Sequence, residues 1–264
     1  YVAFMVIESF SNPKYKYLLS LSKSKTRKKD GLFLMEGRPE LDLAIKSGYE
    51  PAMIAFSEAY IQKSEIVALI GEGNTQFIAL SKALFDSLSY QNVPQNFIGV
   101  FSSFSSSLKD LQEGPMVLLE KVEKPGNLGA ILRTCDALGI KNVLVTDSPV
   151  DLFNPNILRN SRGALFALKC VFTSNEKALE YFRKRGLKVL SAALSDQSID
   201  YRKASVSNNV AYVFGSEANG LSEFWLTNSD ENIIIPMQGV VDSLNVSVSV
   251  AIILSHHVNG KTNS

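Results

Sequence analysis

Apolar positions along this 264-residue chain change their spacing part of the way through. In the first hundred or so residues, short apolar runs alternate with segments whose apolar side chains recur at helical spacing. SNPKYKYLLSLSKSKTRKKDGLF predicts a helix opened by Ser-Asn-Pro and continued as a Lys-rich helix. PELDLAIKSGYE predicts a second helix ending at Gly48. PAMIAFS, TQFIAL and NFIGVFS predict strands, with SEIVALIGEG and SKALFDSLS as helices between them. Such alternation suggests a small three-layer α/β domain.

Beyond SSFSSSLKDLQEGP, residues 102–115, the pattern changes. The Ser-rich stretch and its Gly-Pro pair read as a linker. MVLLEKV, NVLVTD, LKCVFT, LKVLSAAL and VAYVFGS are nearly continuous apolar runs, as expected of parallel strands covered on both faces. GNLGAILRTCDALGI, ILRNSRGALF and SNEKALEYFRKRG are the helical segments between them. The expected fold is therefore an open, mostly parallel sheet flanked by helices over residues 114–264, joined by a linker at 106–113 to a small α/β domain over 1–105. In such sheets ligands bind in the loops beyond the carboxyl ends of the strands.

Composition narrows the function classes. Apolar residues make up 45% and charged residues 20%, which is ample for a core. A net charge of +1 excludes a uniformly basic surface, so any nucleic-acid contact must come from local patches. Cys135 and Cys170 sit in apolar company without metal or disulfide spacing, as in a reduced cytoplasmic protein. YVAFMVIESF is too short to span a membrane and lacks the features of a signal peptide. The run 244–258 is interrupted by Asn245, several serines and two histidines, so no membrane segment is expected. His256 and His257 diverge by about 100° on a helix, and no metal site is expected.

Three loops after core strands concentrate polar residues. In EKVEKPGNLGAILRT, Asn127 reads equally as a helix N-cap or a site residue, and Arg133 interrupts an otherwise apolar helix. The stretch lacks both a GxGxxG fingerprint and a P-loop. In VAYVFGSEANGLS, a strand runs straight into Gly215, Ser216 and Glu217; the carboxylate is either a surface group or a site group. In IIIPMQGVVDSLNVSVSVAIIL, Ser243 and Asn245 stand at the mouth of an apolar helix, where helix capping is the simpler explanation.

Taken together and in this order, PGNLGAILRT, VFGSEANGLS and IPMQGVVDSLNVSVSVA resemble the three motifs of the SpoU family of RNA ribose methyltransferases, within the SPOUT class. NSRGALF resembles a connecting segment of the same family. NPKYKYLLSL, the basic run and FLMEGRPELDLAI are similar to the small ribosomal-protein-like RNA-binding domain that precedes many such catalytic domains. The resemblance implies S-adenosylmethionine-dependent methylation of a ribose 2′-hydroxyl, a C-terminal trefoil knot and a homodimer. A site of Asn127, Arg133, Glu217, Ser243 and Asn245 is implied, with Gly215, Ile235, Pro236, Met237 and Leu244 around the cofactor. Arg133 is expected to bind RNA phosphate and stabilise the developing alkoxide, because a guanidinium is a poor base.

The expected substrate is ribosomal RNA, with transfer RNA as the alternative; a non-catalytic ribosome-assembly protein that kept the fold is a further alternative. RNA contacts are expected from Lys23, Lys25, Arg27, Lys28 and Lys29 in KSKTRKK, joined by Arg162 and Arg159. A merely solvated helix face is the alternative for that run.

Overall fold

The computed structural model describes residues 5–71, 73–90, 95–195, 197–204 and 207–261. The first four residues of YVAFMVIESF therefore lie outside the described residues. The chain forms two compact units, one of residues 1–104 with 151–167 and one of residues 105–150 with 168–264.

The first unit begins with α1 (Pro13–Ser20) and α2 (Ser24–Asp30). Asn12 caps α1 by accepting from the Lys14 backbone N–H at 2.9 Å, and Pro13 occupies the first helical position. The single long helix expected here is in fact two, interrupted at 21–23, and α2 stops at Gly31 in the left-handed conformation. β1 (Leu32–Glu36) follows, an element the apolar spacing did not predict. Then come α3 (Arg38–Lys46), β2 (Met53–Phe56), α4 (Lys63–Ile70), β3 (Gln76–Ala79), α5 (Lys82–Leu88) and β4 (Phe97–Ser102), as read from the sequence.

The sheet order is β1-β4-β2-β3, with β4 antiparallel to both β1 and β2, and β3 parallel to β2. Alternate residues bury on opposite faces. Leu34, Ala55, Ile98 and Val100 pack with Leu18, Leu84 and Phe85 from α1 and α5. Phe33 and its cross-strand partner Phe101 point the other way, where Phe33 stacks on Phe153 at 4.4 Å.

The second unit opens with β5 (Met116–Glu120), α6 (Pro125–Ala137) and β6 (Asn142–Thr146). The crossover after β6 carries α7 (Pro155–Ser161), and its residues 151–167 cluster with the first unit. There Gly163, at φ +82°, passes so close to the Glu40 backbone that a Cβ would lie 3.1 Å from its Cα. The chain then runs through β7 (Lys169–Thr173), α8 (Asn175–Lys184), β8 (Lys188–Ala192), β9 (Ile199–Asp200), β10 (Val210–Phe214), α9 (Glu223–Asn228), β11 (Glu231–Ile234) and α10 (Val246–Lys261). The two-residue β9 and the six-residue α9 were not foreseen.

All seven strands are parallel, in the order β7-β6-β5-β10-β8-β11-β9. Every residue of β5, β6 and β10 is buried, which is why those strands read as unbroken apolar runs. Phe182 of α8 and Trp225 of α9 pack with Leu118, Leu144 and Val213. α10 packs on α6. Because the strands are parallel, their carboxyl ends share one edge, and the loops after β5, β10 and β11 all leave from it. Among the described residues no helix is long and apolar enough to cross a membrane.

Candidate functional site

Each of the three loops is shaped by a local constraint. After β10, the chain turns back on itself through Ser216–Gly220. Ser216 N–H donates to the Gly220 carbonyl at 3.1 Å, and Gly220 N–H returns a bond to the Ser216 carbonyl at 3.0 Å. Gly220 takes φ +63° to make the turn. Gly215 lies against the returning strand so closely that a Cβ would sit 2.1 Å from the Gly220 carbonyl carbon. The turn presents Glu217 at its tip.

After β5, the loop leads into α6 with Pro125 as the first helical residue and Lys124 as the cap. Asn127 is therefore inside the first turn and is not the N-cap. Its side-chain amide donates instead to the Glu217 carboxylate. Lys124 forms an ion pair with the other oxygen of the same carboxylate. After β11, Asn245 immediately precedes α10. Its Oδ1 accepts from Ser247 N–H at 2.9 Å and from Ser247 Oγ at 2.6 Å, a genuine cap. Its Nδ2 donates to Glu217 Oε1 at 2.8 Å. Three donors from two loops thus converge on one carboxylate of the third, as a charge-assisted set.

Beside this cluster is a cavity of about 450 Å³, within the range of small-molecule sites. Gly215, Glu217, Ile235, Met237, Ser243 and Leu244 are among the residues that line it. Its walls combine apolar side chains with the backbone of the Ser216–Gly220 turn, a mixed lining of the kind that small-molecule sites use. Pro236 joins two lining residues, and Ser243 Oγ donates to Asp242 at 3.0 Å. Asn127 and Lys124 line a smaller adjoining recess of about 80 Å³ with Glu217 and Val246.

Arg133 joins neither cavity. It lies six residues past Asn127 on α6, turned about 120° around the helix from it, and is exposed. Lys124 was missed by sequence reasoning; its only signal was a basic residue abutting the Pro-Gly turn directly after a core strand.

Within the first unit, Lys23, Lys25, Lys28 and Lys29 are exposed on and beside α2. Arg27 requires a correction. Only 3% of it is exposed. Its Nη2 pairs with Asp151 at 2.7 Å, its Nε donates to the same oxygen at 3.1 Å, and its Nη1 donates to the carbonyls of Leu21 and Ser22. The guanidinium is consumed by this clasp, so the basic patch consists of lysines. Arg162 is exposed and takes φ +49° at the end of α7; Arg159 is also exposed.

Cys135 and Cys170 are free and buried; burial pushes the Cys135 thiol far above its ordinary value and that of Cys170 up to about 12. His257 is buried with Nδ1 3.0 Å from the Tyr212 hydroxyl. Among the described residues no group of three His, Cys, Asp or Glu side chains could hold a metal ion.

Comparison with known proteins gives consistent matches. Residues 114–255 match the SpoU rRNA Methylase family, and residues 12–99 match the MRM3-like substrate binding domain. The 23S rRNA (guanosine(2553)-2'-O)-methyltransferase RlmP of Bacillus subtilis is 30% identical over 250 residues, covering 95% of this chain and 98% of that protein. The tRNA (guanosine(18)-2'-O)-methyltransferase of Thermus thermophilus is 38% identical over 148 residues, covering 56% of this chain and 75% of that protein. An AdoMet-bound rRNA methyltransferase from Sinorhizobium meliloti superposes with a TM-score of 0.88 at 26% identity, over 97% of this chain and 98% of that one.

Proposed function

Because the chain belongs to the SpoU rRNA methylase family, we propose that it methylates a ribose 2′-hydroxyl of RNA, ribosomal RNA in particular, with S-adenosylmethionine as the donor. The observation that carries this reading is the meeting of Asn127, Glu217 and Asn245 beside a cavity of about 450 Å³ formed by the loops after β10 and β11. Ribosomal RNA is favoured over transfer RNA because the relative that spans both units acts on 23S rRNA, whereas the tRNA enzyme matches little more than half of the chain.

When bound, S-adenosylmethionine supplies an activated methyl group. The chain's own residues do the rest. Gly215, Ile235, Pro236, Met237 and Leu244 hold the cofactor through backbone groups and apolar contact. Glu217, fixed by Lys124, Asn127 and Asn245, orders the wall between cofactor and RNA, with Ser243 at the same rim. Arg133 binds the phosphate next to the reacting ribose and stabilises charge that develops on the 2′-oxygen. Proton removal falls to a neighbouring group or the phosphate, since a guanidinium stays protonated. Holding hydroxyl and methyl in line supplies much of the rate enhancement.

Arg133 stands exposed on α6 away from the cavity of its own chain. A homodimer in which Arg133 of one copy serves the cavity of the other resolves that separation. A trefoil knot belongs to the same reading. It is supported by the path of the chain, which leaves β11 beyond β8 and β10 and comes back to pack α10 on α6. The exposed lysines 23, 25, 28 and 29 supply phosphate contacts in the RNA-binding domain, and the two free, buried thiols support a cytoplasmic site of action.

Incubation with ribosomal RNA and methyl-labelled S-adenosylmethionine, followed by mapping of alkali-resistant positions, tests the proposal. Label at one ribose, at a position whose methylation is missing from the total RNA of cells lacking the gene, is the expected result. Label confined to transfer RNA would move the substrate to the second class. A protein that labels no RNA while still binding it would be a scaffold.

A further inference from the structure

A buried polar cluster lies beneath the site, and its central residue belongs to none of the three motifs. Glu120 ends β5 with 0% exposure. Its Oε2 accepts from Ser222 N–H at 2.7 Å. Its Oε1 accepts from Ser222 Oγ at 2.6 Å and from Asn175 Nδ2 at 2.8 Å. Asn175, the first residue of α8, also donates to Asp147 at 3.1 Å and accepts from Trp225 Nε1 at 2.9 Å. A carboxylate sunk in the core is costly unless hydrogen-bonded throughout, and this one is held by three neutral donors. A hydrophobic side chain would have filled the position without that demand, so the acid must do something a packing residue cannot.

The consequence lies one residue away. Ser222 follows Leu221, which lines the cavity, and the backbone of Gly220–Leu221 is the surface against which Gly215 packs. Fixing Ser222 therefore fixes the far end of the turn that carries Glu217. We propose that Glu120 is a positioning residue: through Ser222 it sets the Gly215–Leu221 backbone in the conformation that grips S-adenosylmethionine, and through Asn175 it couples that setting to Trp225. The inference rests on the cofactor assignment above.

Glu120→Gln separates this role from simple packing. An amide nitrogen at the Oε2 position faces Ser222 N–H, donor against donor, and pushes the turn away. Placed at the Oε1 position, it faces Asn175 Nδ2 and forces that amide to flip, which ends the bond from Trp225. Either orientation disturbs the network while side-chain volume is retained.

The full-length protein is titrated with S-adenosylmethionine by calorimetry, and emission is recorded from Trp225, the one tryptophan in the sequence. Glu120→Gln should weaken cofactor binding at least about tenfold, since hydrogen bonds to a charged group are at stake. It should shift the Trp225 emission, raise KM for the cofactor and leave kcat at saturating cofactor near the wild-type value. A folded Glu120→Gln protein with wild-type affinity, or one whose loss is confined to kcat, overturns the proposal. If that variant does not fold, Ser222→Ala decides, because it removes one hydroxyl only: a several-fold loss of affinity supports the role and an unchanged affinity overturns it. A wild-type protein that does not bind S-adenosylmethionine overturns the cofactor reading itself, an outcome distinct from an insensitive variant.

Discussion

Gly215→Ala is the sharpest perturbation of the loop proposed to hold the cofactor. The new Cβ would lie 2.1 Å from the Gly220 carbonyl carbon, 2.2 Å from its oxygen and 2.4 Å from the Leu221 nitrogen. Comfortable carbon contacts begin near about 3.5 Å, so the turn must open by more than about 1 Å. All three atoms are backbone, and no side chain can rotate away to relieve the clash. Opening the turn breaks the paired Ser216–Gly220 hydrogen bonds, worth about 1 kcal/mol each. Residual overpacking adds about 1–3 kcal/mol. The grip conformation therefore loses about 3–5 kcal/mol, which corresponds to a fall in cofactor affinity of about a hundredfold or more. Calorimetric titration with S-adenosylmethionine measures it directly. Gly239→Ala, where nothing lies within 4 Å of the added Cβ, is the control and should bind as wild type does. Affinity of Gly215→Ala within threefold of wild type would refute the reasoning, because a clash with fixed backbone cannot be that mild.

The remaining predictions concern the other groups. Arg133→Ala should keep cofactor affinity and lose methyl transfer by about a hundredfold or more; full activity in a single-turnover assay would remove Arg133 from the mechanism. Asn245→Asp should retain the cap on α10, since its oxygen still accepts from Ser247, yet repel Glu217; helix content by circular dichroism should hold while transfer falls at least about tenfold. Arg27→Ala should destabilise the first unit by about 3 kcal/mol, because it strands the mostly buried Asp151. Lys28→Ala should change stability by less than about 0.5 kcal/mol and should lower the salt dependence of RNA binding by about 0.7–0.9 in log–log slope; urea melts and binding titrations at several salt concentrations check both. Burial alone would raise the Asp151 carboxyl, but the bonds from Arg27 and Ser24 outweigh it and hold the pKa below its ordinary value. A carboxyl with a depressed folded pKa contributes stability above the unfolded value, about 3.9 for Asp, and that contribution is lost as pH falls through the lower folded value. Urea melts below about pH 4 should therefore show a steeper loss in wild type than in Asp151→Asn.

How much of this could be read from residues depends on what each signal measures. The strands of the second unit were legible because burial on both faces makes them continuously apolar, and parallel pairing puts their loop ends on one edge. β1 escaped because its five residues abut a Lys-rich helix and a Gly-Arg-Pro start, so the run looked like the tail of one element and the approach to another. α9 has only six residues, too few to establish a period. Arg27 was misread for a different reason. Clustered charge reports a basic stretch, and it says nothing about which member an acid 124 positions away will claim. Lys124 and Glu120 likewise owe their roles to partners 93 and 102 residues distant.

Asn245 shows why local reasoning can be right and still incomplete. A polar residue at the mouth of an apolar helix suggests a cap, and Asn245 is one, since its oxygen satisfies the first turn of α10. Serine, threonine or aspartate would meet that need equally well. Only asparagine adds, at the other end of the same side chain, an N–H donor that the cap leaves free. That donor is what Glu217 requires, because a carboxylate can only accept. The choice among capping residues is therefore made by a group 28 positions away in sequence, and the cap ties the start of α10 to the loop that carries Glu217.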